Sequence, residues 1–241
     1  MRRLVSVATA DRGTLSDRLS IGLLVLTMVS GIVDAVSFLR LGHVFTANMT
    51  GNVAFLAFAV AGAPGISVAR SMTSLAAFMS GALLGGYFGR GVAGPFRRRW
   101  LLLCATCETS LLVAAAIAAI AIDGDPTALV DREYALIVLM ALAIGLRNAT
   151  VQQLAATGLT TTTVLTTTIT GLVADFALPG GRTPRMWRRV GSTASLFAGA
   201  AIGVLLLRHG LAVPLIVGAF CVLVSTIGYT EPERGGWKCT A

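Results

Sequence analysis

Charge is scarce in this chain: charged residues are 12% of its 241 residues and hydrophobic residues 55%, whereas soluble domains carry roughly 25% charge. Whole windows of about 20 residues hold one charge or none, so no charged face exists to meet water, and the solvent for most of the chain is lipid. Histidine is nearly missing, with only His43 and His209, too few for a zinc-type pair. There is also no Gly-rich phosphate loop and no Ser-His-Asp set. We therefore expect no catalysis, no metal site and no cofactor. Of the four cysteines, Cys104, Cys107 and Cys221 lie in apolar runs and Cys239 lies near the C-terminus, which is no disulfide framework. Cys104-x-x-Cys107 lacks the βαβ setting of a redox pair and reads as two small residues on one helix face.

Lysine is almost absent as well: the basic residues are eighteen arginines and Lys238. The net charge of +8 and pI near 10.4 would suit a nucleic-acid binder, but the arginines are not interleaved with aromatics along a face. They bracket apolar runs, with Arg97, Arg98 and Arg99 in one cluster and Arg182, Arg185, Arg188 and Arg189 in another. Arginines so placed set membrane orientation, and nucleic acid is excluded as a partner. The stretch before Leu19 is charged and has no apolar core ending in a cleavage site, so residues 1–18 read as a retained cytoplasmic tail.

What the chain does have is eight apolar segments: Ser20–Leu39, Val44–Ala63, Met72–Gly89, Leu101–Ile122, Tyr134–Gln152, Leu159–Leu178, Val190–Leu207 and Leu211–Tyr229. Two are unlike the rest. The second opens with Thr46, Asn48, Thr50 and Asn52, and the sixth carries Thr160–Thr163, Thr166–Thr168, Thr170 and Asp175. Each is a polar half followed by a short apolar half. Such backbone is tolerated at membrane depth only when buried in protein or lining a wet cavity. If all eight crossed, the Arg97 cluster would fall outside, against the positive-inside bias. If the second and sixth dip in and return, the tail and both Arg clusters lie inside, and Asp123, Asp125, Asp131 and Glu133 lie outside. Trp100, Tyr134, Trp187 and Tyr229 then mark span boundaries, as belt aromatics do.

An internal repeat supports the same scheme. Gly31-x-x-Asp34-Ala35 recurs as Gly145-x-x-Asn148-Ala149, Thr50-Gly51 as Thr170-Gly171, and Gly81-x-x-x-Gly85 as Gly199-x-x-x-Gly203, at separations of 114, 120 and 118 residues. With three true spans per half, the second half enters from the opposite side, which makes the repeat an inverted one. The expected fold is an all-α integral membrane protein of about six transmembrane helices plus two re-entrant half-helices. Its parts are the tail 1–18, a first membrane repeat 19–122, a second 134–229 and a cytoplasmic C-terminal tail 230–241. The small-residue stripes Gly81-x-x-x-Gly85-x-x-x-Gly89 and Gly191-x-x-x-Ser195-x-x-x-Gly199-x-x-x-Gly203 read as close helix contacts. They would pack the two repeats together, and a homo-oligomer interface would look the same.

The polar residues inside the apolar segments are the candidate site. Asp34 is expensive to insert and reads either as a titrating or solute-contacting group at the wall of a pathway or as a hydrogen bond to a neighbouring helix. Asn148, its twin, can bond but not titrate. Ala47-Asn48-Met49-Thr50-Gly51-Asn52 reads as an extended approach and a helix start, with Asn48 or Thr50 as N-cap and Gly51 allowing close approach. The positive end of that half-helix would point to mid-membrane, where it could attract an anion, bind a polar solute or repel cations. Nine of the fourteen residues from Thr157 to Thr170 are Thr, suited to an irregular, wet wall. Arg147, beside Asn148, could hold an anion, pair with Asp175 or Glu108, or snorkel to the interface. Glu108 reads as a helix-to-helix bond or a buried neutral acid, and Arg40 and His43 as interfacial residues.

The run Gly31-x-x-Asp34-Ala35-x-Ser37-Phe38-x-x-Leu41-Gly42-x-Val44-Phe45-x-Ala47-Asn48-Met49-Thr50-Gly51-Asn52, with Gly145-x-x-Asn148-Ala149 and Thr170-Gly171, resembles the bacterial YoaK-like family, and the likeness in segment order covers nearly the whole chain. The resemblance implies a small multi-pass membrane protein and no particular substrate. In the second half Gly171 is followed by Leu172 instead of a second Gly-Asn. The expected function is a small-solute permease or channel of the bacterial inner membrane. Its site would be Asp34, Asn48, Thr50, Gly51, Asn52, Arg147, Asn148, Thr170 and Gly171, between the two half-helix starts. The competing class is a non-transporting assembly or partner-binding subunit. The expected partners are the lipid bilayer and a small solute.

Overall fold

The structure is a computed structural model, and it describes residues 2–89, 96–124, 129–156, 169–171, 173 and 184–230. Everything regular among them is helical. The helices are α1 (Arg2–Arg40), α2 (Met49–Val60), α3 (Val68–Phe88), α4 (Phe96–Gly124), α5 (Leu129–Ala156), α6 (Pro184–Leu206) and α7 (Ala212–Thr230), with a 3-10 turn at Leu207–His209 before α7. The charged stretch before Leu19 continues the helix of the first apolar segment without a break. Residues 157–168, 172 and 174–183, with Asp175 among them, lie outside the described residues, so of the sixth apolar segment only Ile169, Thr170, Gly171 and Val173 are described.

Four stretches are long and apolar enough to cross a bilayer: Ser20–Arg40, Arg99–Ala121, Arg132–Gln153 and Arg188–His209. Met49–Val60 and Ala212–Ile227 are shorter apolar helices. The distribution of polarity is that of a protein in lipid. Phe197, Leu83, Tyr87 and Phe220 stand out of the bundle, while Ser37, Thr46, Asn52, Ser74, Glu108, Arg147 and Ser192 are buried in it. The outer side chains need no partner in hydrocarbon, and the inner ones bond within the protein.

The centre is a four-helix core. Val29, Val33 and Val36 of α1, Leu112, Ala115 and Ala119 of α4, Ile137, Met140 and Ile144 of α5, and Leu215, Ala219 and Val222 of α7 form one buried cluster. Against this core α3 packs on α5, and α6 packs on α1. Glycines make both contacts. A Cβ on Gly81 would overlap the Leu142 carbonyl, and one on Gly145 the Phe78 carbonyl. Likewise, a Cβ on Gly199 would overlap the Met28 carbonyl, and one on Gly31 the Leu196 carbonyl. The two crossings use the same positions shifted by 114 and 118 residues. In each, backbone meets backbone, as small-residue stripes permit in lipid.

Residue pairs along the helices give their directions. Arg70 meets Glu133, Gly81 meets Leu142 and Leu146, Gly85 meets Ala149, and Gly89 meets Gln153, so α3 and α5 run parallel. Gly191 against Leu24 and Gly203 against Ile32 and Ala35 make α6 parallel to α1. Arg147 to Glu108 and Arg132 to the Ala121 carbonyl make α4 antiparallel to α5. The start of α3 lies at the end of α1, since a Cβ on Gly42 would overlap the Arg70 guanidinium and Ser74 Oγ donates to the Phe45 carbonyl at 2.6 Å. The intervening chain, α2 included, therefore returns to the end of the bundle it left. With 12 residues, α2 is about 18 Å long by helical rise, short of the roughly 30 Å hydrocarbon core.

Candidate functional site

α1 ends in a tight turn at Gly42 (φ 77°) and His43 (φ 58°). The first is the conformation glycine adopts without strain, and with His43 it sends the chain back down beside the helix it has just left. The descending segment is then fastened twice. Asp34 Oδ1 accepts from Thr46 N at 3.0 Å and from Ala47 N at 2.7 Å. The buried Asn52 amide pairs with Phe45 in both directions: Phe45 N donates to Oδ1 at 2.9 Å, and Nδ2 donates to the Phe45 carbonyl at 2.6 Å and to Ser74 Oγ at 3.1 Å. Asp34 lies six residues before Arg40, so the segment has descended about 9 Å before α2 begins.

There α2 starts with Asn48 as its N-cap, the side chain accepting from Gly51 N at 3.3 Å. That is one of the two capping residues expected. Gly51 lies where a Cβ would press into the Phe45 ring. Phe45 in turn stacks on Phe38 and on Phe55, with centroids at 5.1 and 5.5 Å, and those two rings also meet at 6.1 Å; His43 stands edge-on to Phe38. Asn48 and Thr50 are exposed while Asn52 and Thr46 are buried. The polar run thus divides by role: Asn52, Gly51 and Asp34 hold the loop, Asn48 caps the helix from an exposed position, and Thr50 is exposed.

Arg147 makes none of these bonds. Its guanidinium is buried, with Nη1 on Glu108 Oε1 at 3.0 Å and Nη2 on Ser30 Oγ at 2.6 Å. Of the partners weighed for it, Glu108 is the one found, and a snorkelling role is set aside by its burial. Ser30 lies one helical turn before Asp34 on α1. The ion pair and the Asp34 loop are therefore neighbours on one helix, one tying α1 to α4 and α5, the other tying α1 to α2. Asn148 is half-buried, Thr170 is exposed, and a Cβ on Gly171 would meet the Arg189 guanidinium near the start of α6. No hydrogen bond among the described residues joins Asn48 or Thr50 to Thr170.

Sequence reasoning missed Ser30, Ser74 and the Arg70–Glu133 ion pair at 2.8 Å. Serines are common in membrane helices, and only their neighbours across the bundle mark these two. Glu133 and Arg70 sit at segment ends, where charges are ordinary. Cys104 is buried and Cys107, three residues on along α4, is exposed. An open groove lined by Ser80, Leu83, Leu84, Tyr87 and Gln153 lies at the far end of α3, away from Asn48.

Comparison with known proteins places the chain in a membrane-protein family. It is 30% identical to the UPF0700 transmembrane protein YoaK of Bacillus subtilis (strain 168) over 180 residues, which covers 70% of this chain and 69% of that protein. No solved structure matches. Residues 22–228 match the family described as Protein of unknown function (DUF1275). From the first membrane helix to the last, then, this chain is a transmembrane protein of the DUF1275 family, the family of YoaK.

Proposed function

We propose that the protein is a small-solute permease or channel of the bacterial inner membrane, without enzymatic activity, cofactor or nucleic-acid partner. In this reading α1, α3, α4, α5, α6 and α7 cross the membrane. α2 is a re-entrant half-helix, and a second one begins near Thr170. The two halves form an inverted repeat, because α1 and its counterpart α5 run in opposite directions. Both termini are cytoplasmic. The observation that carries the reading is the start of α2: a helix begins about 9 Å inside the bundle, its approach is bolted down by Asp34 and Asn52, and Asn48 and Thr50 are left exposed there. Polar groups at such a depth are costly unless they serve water or a solute.

A second reading, a non-transporting assembly or partner-binding subunit, rests on a specific observation too: Arg147, Glu108 and Ser30 satisfy one another. Two experiments test the proposal. Cysteine labelling in cells should find Arg97–Arg99 and Arg185–Arg189 cytoplasmic and Asp123–Asp131 periplasmic; outside labelling of the Arg97 loop refutes the six-crossing scheme. A flux screen in proteoliposomes separates the two functions, since a subunit that only assembles moves no solute.

A further inference from the structure

We infer that the groove at the far end of α3 binds one anionic phospholipid, with an acyl chain along the helix and the phosphate among the arginines between α3 and the start of α4. The groove measures about 750 Å³, within the roughly 300–1,000 Å³ of small-ligand sites. It exists because a side chain is missing: a Cβ on Gly86 would meet nothing within 4 Å, although glycine inside a helix costs stability. Leu83, Leu84 and Tyr87 are its exposed apolar walls. Gln153 stands at its end, against Gly89, with Nε2 donating to the Gly86 carbonyl at 3.1 Å, so the channel turns polar there. From Ser80 to Gly89, α3 rises about 13–14 Å, close to half of the roughly 30 Å hydrocarbon core. The groove is thus as long as one leaflet is deep. A lipid of that leaflet fits it, whereas a helix of a second copy would continue along α3 to Val68.

Charge selects the headgroup. Gln153 lies six residues past Arg147 on α5, and Arg99 nine residues before Glu108 on α4, and the Arg147 and Glu108 side chains meet at 3.0 Å. Because α4 and α5 are antiparallel, helical rise puts Arg99 about 4–5 Å beyond Gln153 toward the bilayer surface. That is the level of a phosphate whose chains begin at Gln153. Arg99 is exposed, Arg97 and Arg98 precede it, and Arg90 follows α3. The sequence holds no acid between Asp34 and Glu108, so this end of α3 and α4 is charged in one sense only. The first turn of α4 has no acid either, which leaves the positive end of its dipole to the same anion. Each arginine beside an anionic headgroup strengthens binding about fivefold, so two in reach give tenfold or more.

The test uses the purified full chain in dodecylmaltoside, titrated with dioleoylphosphatidylglycerol or dioleoylphosphatidylcholine and followed by native mass spectrometry. The two lipids share their chains and differ in headgroup charge. One phosphatidylglycerol should bind at least about tenfold more tightly than phosphatidylcholine. Gly86→Leu fills the open space and should abolish that tight site with elution and helical circular dichroism unchanged. Ser80→Phe fills the groove from an exposed position and takes its place if Gly86→Leu misfolds. Arg99→Gln should weaken phosphatidylglycerol binding about two- to fivefold and leave phosphatidylcholine binding unmoved. Equal affinity for the two lipids, or phosphatidylglycerol affinity unchanged in the groove variants or in Arg99→Gln, overturns the inference. So does a parent chain that elutes as a dimer and becomes a monomer in Gly86→Leu, which gives the groove to a second copy. None of these outcomes bears on the permease reading, because the groove lies away from Asn48.

Discussion

The Glu108–Arg147 pair gives the most demanding test of the packing. Both side chains are about 95% buried, and Nη1 lies 3.0 Å from Oε1; at an effective dielectric near 20 their attraction is about 5–6 kcal/mol. Most of that offsets desolvation, so the pair adds little net stability, but removing one member strands the other. A guanidinium keeps its charge in any surroundings, so Glu108→Met should cost about 3–5 kcal/mol. Arg147→Met should cost less, because a carboxyl has a neutral form. Replacing both with methionine fills a similar volume with apolar atoms and should fall within about 1 kcal/mol of the parent, or above it. Ser30→Ala removes an acceptor from a charged donor and should cost about 1.5–3 kcal/mol. Unfolding of the purified chain from dodecylmaltoside into SDS mixed micelles, followed by circular dichroism, gives the four free energies and the coupling between the two sites. A double variant as destabilised as the sum of its single variants refutes the ion pair as built.

Neighbouring glycines of α3 make opposite expectations within one helix. Gly81→Ala drives a Cβ into the Leu142 carbonyl and Gly86→Ala meets nothing within 4 Å, so the first should lower the unfolding free energy by several kcal/mol and the second raise it by about 0.5–1 kcal/mol; thermal stability in detergent reads both. Asn52→Leu removes the two-way bond to Phe45 and the donor to Ser74, stranding buried backbone at a cost of about 2–4 kcal/mol, whereas exposed Thr50→Val should change stability by less than about 0.5 kcal/mol. For Asp34, Leu should cost about 1–3 kcal/mol by orphaning Thr46 N and Ala47 N and Asn should be nearly silent in the same unfolding assay; equal losses would mean that charge, not the acceptor, holds the loop. Cysteines at positions 42 and 70, which the length of the Arg70 side chain separates, should be bridged in the membrane by a bifunctional thiol reagent of about that reach, and their failure to be bridged refutes the return of the chain to the end of α1.

Much of this protein was legible in its sequence because lipid is a simple solvent. Hydrocarbon demands long uncharged windows, so Ser20–Arg40, Arg99–Ala121 and Arg132–Gln153 announce themselves within a residue or two of the segments read from composition. Backbone-close packing in lipid demands small residues at fixed spacing, so the Gly81 and Gly199 stripes could be read as helix contacts, and each meets a helix of the other half. An N-cap needs a short polar side chain, so Asn48 and Thr50 were the two candidates at the start of α2, and the fold uses Asn48. Partners are a different matter. Nothing local distinguishes Glu108 from Asp175 as the companion of Arg147, or marks Ser30 among the serines, because those bonds depend on which helix faces lie together 39 and 117 residues apart. The division of the Asn-Thr run was equally hidden. Asn52 is enclosed by Phe45 and Ser74 while Asn48, four residues earlier, caps the helix from an exposed position, because only the folded-back loop and α3 decide which amide is enclosed. Composition and spacing placed this chain in the membrane and drew its helices; tertiary packing alone chose which of its few polar groups hold the fold and which stay exposed.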